Sequence, residues 1–377
     1  MHLITLWIGE INTKRSLTVF NRLEKIMELK NLIVNLSSLM SIGGFERFER
    51  EKLLSLVGDG FDENYLDNVG NQVFVKKCGK ENAPKIMLDA HMDEIGMYVT
   101  EILDGGFLRV TNIGGIDTGI LQASDVIIYG KDERLFGVIA STPPHLASGS
   151  GKELPKIDEL LIDTCCTKEE LEDRIRVGTP VGFAPKYTEM LNNKIMGKSF
   201  DDKACAACAI YATINTPRED LAGDVYVMLS CCEEVTGMVA PGAYALNPDY
   251  AMSIDVNLGR VPGTKKEETV ELGKGPSITM SAVTDRKLTN MLIDTAKEKE
   301  IPYQISVSPT HTGTNAVSIQ LAREGIPTVD VGLPLASMHT YNEIISLDDA
   351  NTLCDLAAAF ITDKKIAEEY GKGGIEI

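Results

Sequence analysis

A run of uncharged, β-prone residues that ends in two adjacent carboxylates is the feature that most constrains the fold of this chain. The run extends from Val225 to Cys232, and Glu233 and Glu234 follow it directly. Such a run is typical of a buried strand. Because ligands bind at the carboxyl ends of strands in open α/β sheets, the two acids indicate a functional site. The alternative is a solvated strand edge, since charged side chains are mostly exposed.

Other predicted strands also end in titratable residues. Three of them carry candidate site residues at or just beyond their carboxyl ends: residues 86–88 are followed by His91, Asp93 and Glu94, residues 250–256 contain Asp255, and residues 326–333 precede His339. Asp201 and Asp202 stand instead at the head of a helix rich in Ala and Cys. An alternative interpretation of His91 is that it is a structural histidine without a metal. An alternative interpretation of Asp201 and Asp202 is that they cap the helix, because carboxylates at a helix N-terminus complement the helix dipole.

The order of elements predicts an α/β fold, a doubly wound mixed sheet with helices on both faces. Between residues 98 and 193 the sequence pattern changes to short apolar runs separated by glycine turns. This pattern predicts an inserted small β-barrel, with a role in oligomerisation or as a lid. The predicted domains are an N-terminal extension over residues 1–26, a catalytic α/β domain over 27–97 and 194–377, and the barrel over 98–193.

The first 26 residues do not resemble a targeting segment. Residues 3–8 are apolar, but they lack a preceding basic region and a small-residue cleavage site. A helical pattern opens at Met27, so we take Met27 as the natural start and residues 1–26 as an upstream extension or an extra helix. Sequencing the N-terminus of protein expressed from its native gene tests this hypothesis, and an intact Met1 would contradict it.

Composition excludes several classes of function. The net charge of -18 and the pI near 4.8 argue against a nucleic-acid surface, which needs clustered Lys and Arg. No stretch of about 18 uncharged apolar residues is present, so we expect no membrane span. Eight cysteines without a secretory signal favour reduced thiols and a cytoplasmic location. Cys205 and Cys208, three residues apart in a small-residue helix, are predicted to be core residues rather than metal ligands.

The candidate residues together have the composition of a dinuclear metal site. The set contains two imidazoles and three carboxylates, namely His91, Asp201, Glu234, Asp255 and His339. Two divalent ions about 3.5–4 Å apart need such a set, with one imidazole per ion and one bridging carboxylate. Nitrogen and oxygen donors without thiolate suit Zn or Co, and also Mn.

The order of these motifs resembles one known family. His-x-Asp-Glu, Asp-Asp-Lys, Glu-Glu-Val, Ser-Ile-Asp and Met-His occur in the order of the M42 co-catalytic metallo-aminopeptidases, which include glutamyl, leucyl and deblocking aminopeptidases and some members named as cellulases. The resemblance covers nearly all of the chain from Met27 onward. It includes the landmarks at residues 313–315 and 324–327.

The resemblance implies a ligand set for two divalent metal ions per subunit. His91 and Asp255 would hold one ion, Glu234 and His339 would hold the other, and Asp201 would bridge the two.

The resemblance also implies catalytic roles, a substrate class and an assembly. Glu233 would be the general base that takes a proton from a metal-bridging water and passes it to the leaving amine, and Asp93 would orient His91. Regular strand geometry would point Glu233 and Glu234 to opposite sides, so a bend is needed to bring both into one pocket. Substrates would be short peptides, and the protein would be a homo-oligomer, with a tetrahedral dodecamer as one form.

The chain departs from the family pattern around the predicted site. Residues 236–243 lack the usual Arg-containing turn, Gly313-Thr-Asn315 replaces Gly-Thr-Asp, Ala-Ser replaces Arg-Tyr before Met-His, and residues 340–343 replace Ser-Pro-x-Glu. None of these changes removes a predicted ligand. They therefore put substrate preference in doubt rather than catalysis.

Two other functions compete with the peptidase hypothesis. Glycoside hydrolysis is suggested by the cellulase names within the family, but it needs two carboxylates that flank a sugar rather than two histidines and a bridging acid. A catalytically weak oligomeric binding or scaffold protein is the other alternative. Intact predicted ligands argue against it.

Overall fold

The computed structural model describes residues 28–141, 145 and 154–371. It contains a large mixed sheet with helices on both faces and a closed six-stranded antiparallel barrel, which confirms the predicted fold class. The predicted N-terminal extension, residues 1–26, lies outside the described residues.

The described part of the chain has seventeen strands. In chain order they are β1 (Glu63–Leu66), β2 (Gln72–Lys76), β3 (Lys85–His91), β4 (Gly96–Ile102), β5 (Phe107–Ile113), β6 (Asp125–Tyr129), β7 (Arg134–Ile139), β8 (Leu161–Asp163), β9 (Pro180–Phe183), β10 (Tyr187–Met190), β11 (Lys194–Gly197), β12 (Asp224–Ser230), β13 (Tyr250–Leu258), β14 (Ser277–Ser281), β15 (Gln304–Ser308), β16 (Thr328–Ala336) and β17 (Glu343–Ser346).

The same described ranges contain nine α-helices. They are α1 (28–38), α2 (Arg50–Val57), α3 (Lys168–Glu172), α4 (Phe200–Asn215), α5 (Val239–Leu246), α6 (Arg286–Glu298), α7 (Ala316–Gln320), α8 (Leu347–Thr362) and α9 (Lys364–Tyr370). Helix α3 begins with a capping box, in which the Thr167 hydroxyl accepts from the Glu170 N–H. None of these helices has the length and apolar character needed to cross a membrane.

The large sheet has a parallel centre. Its spatial order is β1-β2-β12-β3-β13-β16-β17-β11-β10, with β14 paired to β16 and β15 to β14. Strands β12, β3, β13 and β16 run parallel to one another, so their carboxyl ends meet at one edge. Ser230 pairs with His91, and Asp255 pairs with Gly332. The register therefore brings the predicted site residues together at that edge.

Helices cover both faces of this sheet. In β3, Ile86 and Leu88 belong to the core formed with α4 and α8, whereas Met87 belongs to the core formed with α5 and α7. Burial on both faces explains why the central strands are mostly apolar rather than alternating between apolar and polar residues. Cys205 and Cys208 are fully buried in α4, as the sequence predicts.

The barrel joins β4, β5, β8, β7, β6 and β9 in a closed ring, between Gly96 and Phe183. Its interior is filled by buried aliphatic side chains, including Met97, Leu108 and Ile162. The loop after β5 reaches the edge of the large sheet, where a Cβ on Gly115 would lie 3.1 Å from Nδ1 of His339. The barrel therefore supplies one wall of the candidate site. The division of the chain into domains at residues 97/98 and 193/194 stays a prediction.

Candidate active site

A tight bend after β12 brings both acids of the Glu-Glu pair to one side. Cys232 has a φ of 55°, which turns the chain out of the strand. The backbone N–H of Glu233 then donates to Oδ1 of Asp93 at 2.9 Å, and that of Glu234 donates to Oδ2 at 3.0 Å. The buried carboxylate of Asp93 thus holds the bend, and the alternation of a regular strand no longer applies.

The first potential ligand group surrounds His91. Its Nε2 lies 3.1 Å from Oδ1 of Asp201 and 3.9 Å from Oδ1 of Asp255. One donor atom from each of these three buried residues lies within 4.8 Å of the other two. This spacing fits a single divalent ion with mixed nitrogen and oxygen ligands.

The second potential ligand group surrounds His339 and shares Asp201 with the first. The His339 Nε2 lies 3.2 Å from Oε2 of Glu234 and 3.4 Å from Oδ2 of Asp201. Their donor atoms also lie within 4.8 Å of one another. Asp201 therefore presents one carboxylate oxygen to each imidazole, which is the arrangement of a bridging ligand.

The electrostatics of the site also suit cations. Burial raises the pKa of Asp255 and of Glu234, and it raises the pKa of Glu233 to about 7. Burial acts in the same direction on Asp201, but hydrogen bonds from His339 and His91 bring its pKa below the usual range. Four acids thus crowd a water-poor pocket, and divalent ions would stabilise their charged forms.

Asp93 contacts His91 through its backbone carbonyl and, at a longer distance, through its carboxylate. The His91 Nδ1 lies 3.1 Å from the carbonyl oxygen of Asp93 and 3.5 Å from its carboxylate Oδ1. Both carboxylate oxygens are already engaged by the Glu233 and Glu234 N–H groups. Asp93 can therefore fix the imidazole and the acidic bend at the same time.

Two further acids, Glu343 and Asp202, position the candidate ligands, and the sequence does not predict these contacts. Glu343, buried at the start of β17, accepts from the N–H of Asp201 and of His339, both at 3.1 Å. Asp202 accepts from the His91 N–H at 3.0 Å. The signals in the sequence are indirect: Glu343 matches the acid of the family's Ser-Pro-x-Glu segment, and Asp202 belongs to Asp-Asp-Lys.

Glu94 follows Asp93 but faces away from the potential metal ligands. Its carboxylate pairs with Lys198 and, at 3.2 Å, with Lys203, and all three side chains are almost completely buried. Burial acts to raise the pKa of Glu94, but the two ammonium groups lower it to about 2. Glu94 is therefore a buried structural anion that ties the β3 end to the start of α4.

The structure gives a reason for the unusual Asn315. Its amide nitrogen donates to Oδ2 of Asp89 at 3.0 Å and to the Ser230 hydroxyl at 2.9 Å, beneath the acidic bend. Burial raises the pKa of Asp89 to about 7. An aspartate at position 315 would place a second carboxylate against Asp89, whereas the amide supplies a hydrogen-bond donor.

Comparisons with known proteins identify the family of this chain. A family model described as M42 glutamyl aminopeptidase matches residues 70–356. A lysyl aminopeptidase from Pyrococcus furiosus is 32% identical over 332 residues, which cover 86% of this chain and 94% of that protein.

Solved structures show the same relationship. An aminopeptidase from the archaeon Desulfurococcus kamchatkensis has a TM-score of 0.84 at 32% identity, over 93% of this chain and 99% of that one. A TET1 peptidase from Pyrococcus horikoshii, which can assemble into a tetrahedron or a large octahedral shell, has a TM-score of 0.77 at 28% identity, over 89% and 99% of the two chains. The present chain belongs to the M42 family of aminopeptidases, which are peptide hydrolases.

Proposed function

We propose that this protein is a dinuclear-metal aminopeptidase that releases N-terminal residues from short peptides. One observation carries the proposal: the two oxygens of Asp201 face different imidazoles, at 3.1 Å from His91 and 3.4 Å from His339. A carboxylate shared in this way is the expected bridge between two ions. His91 and Asp255 would complete one ion site, and Glu234 and His339 the other.

The chemistry divides between the ions and Glu233. Two divalent ions, Zn or Co and also Mn, would polarise the peptide carbonyl and lower the pKa of the attacking water. Glu233 accepts a proton from that water and delivers it to the leaving amine nitrogen, so that the carboxylate is regenerated. Among the described residues no side chain hydrogen-bonds its carboxylate, which leaves it available for this transfer.

Asp93 supports this role as a positioning residue. Its carboxylate holds the backbone of both Glu233 and Glu234, and its carbonyl oxygen contacts His91. The proton carrier and ligands for both proposed ions therefore depend on one buried side chain.

We also propose that the protein works as a homo-oligomer, with a tetrahedral dodecamer as one form. The TET1 relative supports this, because it assembles into a tetrahedron. The barrel, proposed as a separate unit over residues 98–193, would act as a lid or an oligomerisation element, since its β5 loop borders His339. The proposed location is the cytoplasm, in keeping with eight free cysteines.

Metal removal and a Glu233→Gln variant test the function together. Chelation should abolish hydrolysis of aminoacyl p-nitroanilides, and Zn or Co should restore it. Glu233→Gln should keep the metal content but lower kcat by about 100-fold or more, the usual scale of acid–base catalysis. Full activity after complete removal of metal would contradict the proposal, and unchanged turnover of the variant would remove Glu233 from the mechanism.

The same preparation tests the two alternatives. Cleavage of cello-oligosaccharides without peptidase activity would favour a glycosidase, a class that needs two carboxylates flanking a sugar rather than two histidines and a shared acid. Failure to bind Zn or Co on reconstitution would favour a scaffold protein.

A further inference from the structure

A cavity of about 650 Å³ is lined in part by residues that are next to two candidate ligands in the sequence. Its lining includes Val256, which directly follows Asp255, and Met338, which directly precedes His339. One ligand of each proposed ion is therefore adjacent in sequence to the cavity wall. A peptide whose scissile bond lies at the ions can place its first side chain there.

Asp330 lies in the wall of this cavity, below the metal centre. It pairs with Ser253 in the register of β13 and β16, whereas Asp255 pairs with Gly332. Asp330 therefore lies on the same sheet face as Asp255. It is two residues nearer the amino ends of the strands, which corresponds to about 7 Å along the strand direction. That distance is close to the reach of about 6 Å of an extended lysine side chain with its four-carbon stem.

The surroundings of Asp330 leave its charge without a counter-ion. Its side chain is only 3% exposed, and its Oδ1 accepts from the Thr314 hydroxyl at 2.8 Å. The Thr279 side chain also hydrogen-bonds the carboxylate, and burial raises the Asp330 pKa to about 6. Within the part of the chain that the structure describes, no Lys or Arg pairs with it. An ionised carboxylate in such a place is stabilised by a cation that enters the cavity.

The rest of the cavity reinforces this charge. Besides Asp330, the charged residues that line it are Lys266, Glu267 and Glu268, all exposed on one turn at the mouth. Three acids therefore face one base. The electrostatic field of the cavity attracts cationic side chains and disfavours anionic ones.

We propose that Asp330 selects substrates whose N-terminal residue is lysine or arginine, by pairing with the cationic end of that side chain. This inference rests on the proposed aminopeptidase function, and it adds a specificity-determining residue to it. Thr314 and Thr279 contact the carboxylate, while the stem of the substrate side chain packs along the wall of the cavity.

Lysine and norleucine p-nitroanilides test the proposal, because the two side chains have nearly the same shape and differ in charge. With the Zn- or Co-loaded protein, we expect kcat/KM for lysine to exceed that for norleucine by about tenfold or more. Asp330→Asn keeps the shape and one acceptor oxygen for the threonine hydroxyls. It should lower the lysine-to-norleucine ratio by about 30-fold, mainly through KM, as expected when one partner of a buried charge pair is removed.

Glu267→Gln is the matched control, since it neutralises an exposed acid of the same cavity and should change the ratio by less than about threefold. Equal or faster cleavage of norleucine by the unmodified protein would overturn the proposal, and so would an unchanged ratio in an active Asp330→Asn variant. If Asp330→Asn does not fold, the comparison of kcat/KM for the lysine and norleucine substrates in the unmodified protein still tests the proposal. Absence of hydrolysis of every substrate would instead overturn the underlying aminopeptidase assignment.

Discussion

Replacing Asp93 with asparagine should impair catalysis by releasing the acidic bend. The Asp93 side chain is completely buried, and its two oxygens accept from the N–H groups of Glu233 and Glu234 at 2.9 and 3.0 Å. Asparagine keeps one acceptor oxygen and turns an NH2 group toward the other N–H. One hydrogen bond to a charged group is lost, worth about 1.5–3 kcal/mol, and a donor then faces a donor.

The functional loss follows from the displacement of both acids. A shift of about 1 Å in catalytic groups can cost about 100-fold in rate, and loss of a residue that orients metal ligands typically costs about 10- to 100-fold in metal affinity or activity. We therefore expect kcat/KM to fall by about 30- to 100-fold and the free energy of unfolding to fall by about 2–3 kcal/mol. Steady-state kinetics at saturating metal and urea unfolding measure these two effects.

Asp104→Asn provides the matched control, because the Asp104 side chain is 94% exposed on the barrel. That variant should keep the activity and stability of the unmodified protein. Unchanged kinetics and unfolding in Asp93→Asn would refute the reasoning, since the bend would then be held without the Asp93 carboxylate.

Three further predictions concern buried charges. Glu94→Gln leaves two buried ammonium groups unpaired and should lower the free energy of unfolding by about 3–5 kcal/mol, whereas unchanged urea unfolding would contradict the pairing. Asn315→Asp sets a carboxylate against Asp89 and raises the pKa of one of the two acids. Its stability loss should therefore grow as pH rises from about 5 to 8, and a loss independent of pH would contradict this origin. The Asp330 pKa of about 6 predicts that the lysine-to-norleucine ratio of kcat/KM falls as pH drops below about 6, because the carboxyl becomes neutral. The other charged residues that line the cavity are Lys266, Glu267 and Glu268, which are exposed at its mouth. A ratio that stays constant with pH would contradict the pairing of the substrate cation with Asp330.

The sequence predicts the parts of the site that follow from strand ends. Uncharged strands that stop at titratable residues indicate a parallel sheet with a site at its carboxyl edge, and the structure places His91 and Asp255 there. The glycine-punctuated segment likewise predicts a barrel, and a closed barrel is present. Both predictions depend on local patterns, which a sequence displays directly.

Contacts between distant segments could not be read from the sequence. Glu343 accepts a hydrogen bond from the N–H of Asp201, which is 142 residues away in the sequence. No local sequence pattern specifies that contact. Asp93 and Glu94 are adjacent and chemically similar, yet Glu94 turns to Lys198 and Lys203 while Asp93 turns to the acidic bend. Their different roles depend on which distant groups each side chain meets. The role of Asp330 could not be read from the sequence either, because its position in a cavity depends on the register of β13 with β16.

The central claim is that Asp201 bridges two metal ions, and anomalous X-ray diffraction from crystals of the Zn- or Co-loaded protein tests it most directly. The account predicts two anomalous peaks per chain, about 3.5–4 Å apart. One peak should lie between His91 and Asp255 and the other between Glu234 and His339, with one Asp201 oxygen on each. A single peak at saturating metal, or two ions without Asp201 between them, would contradict the account.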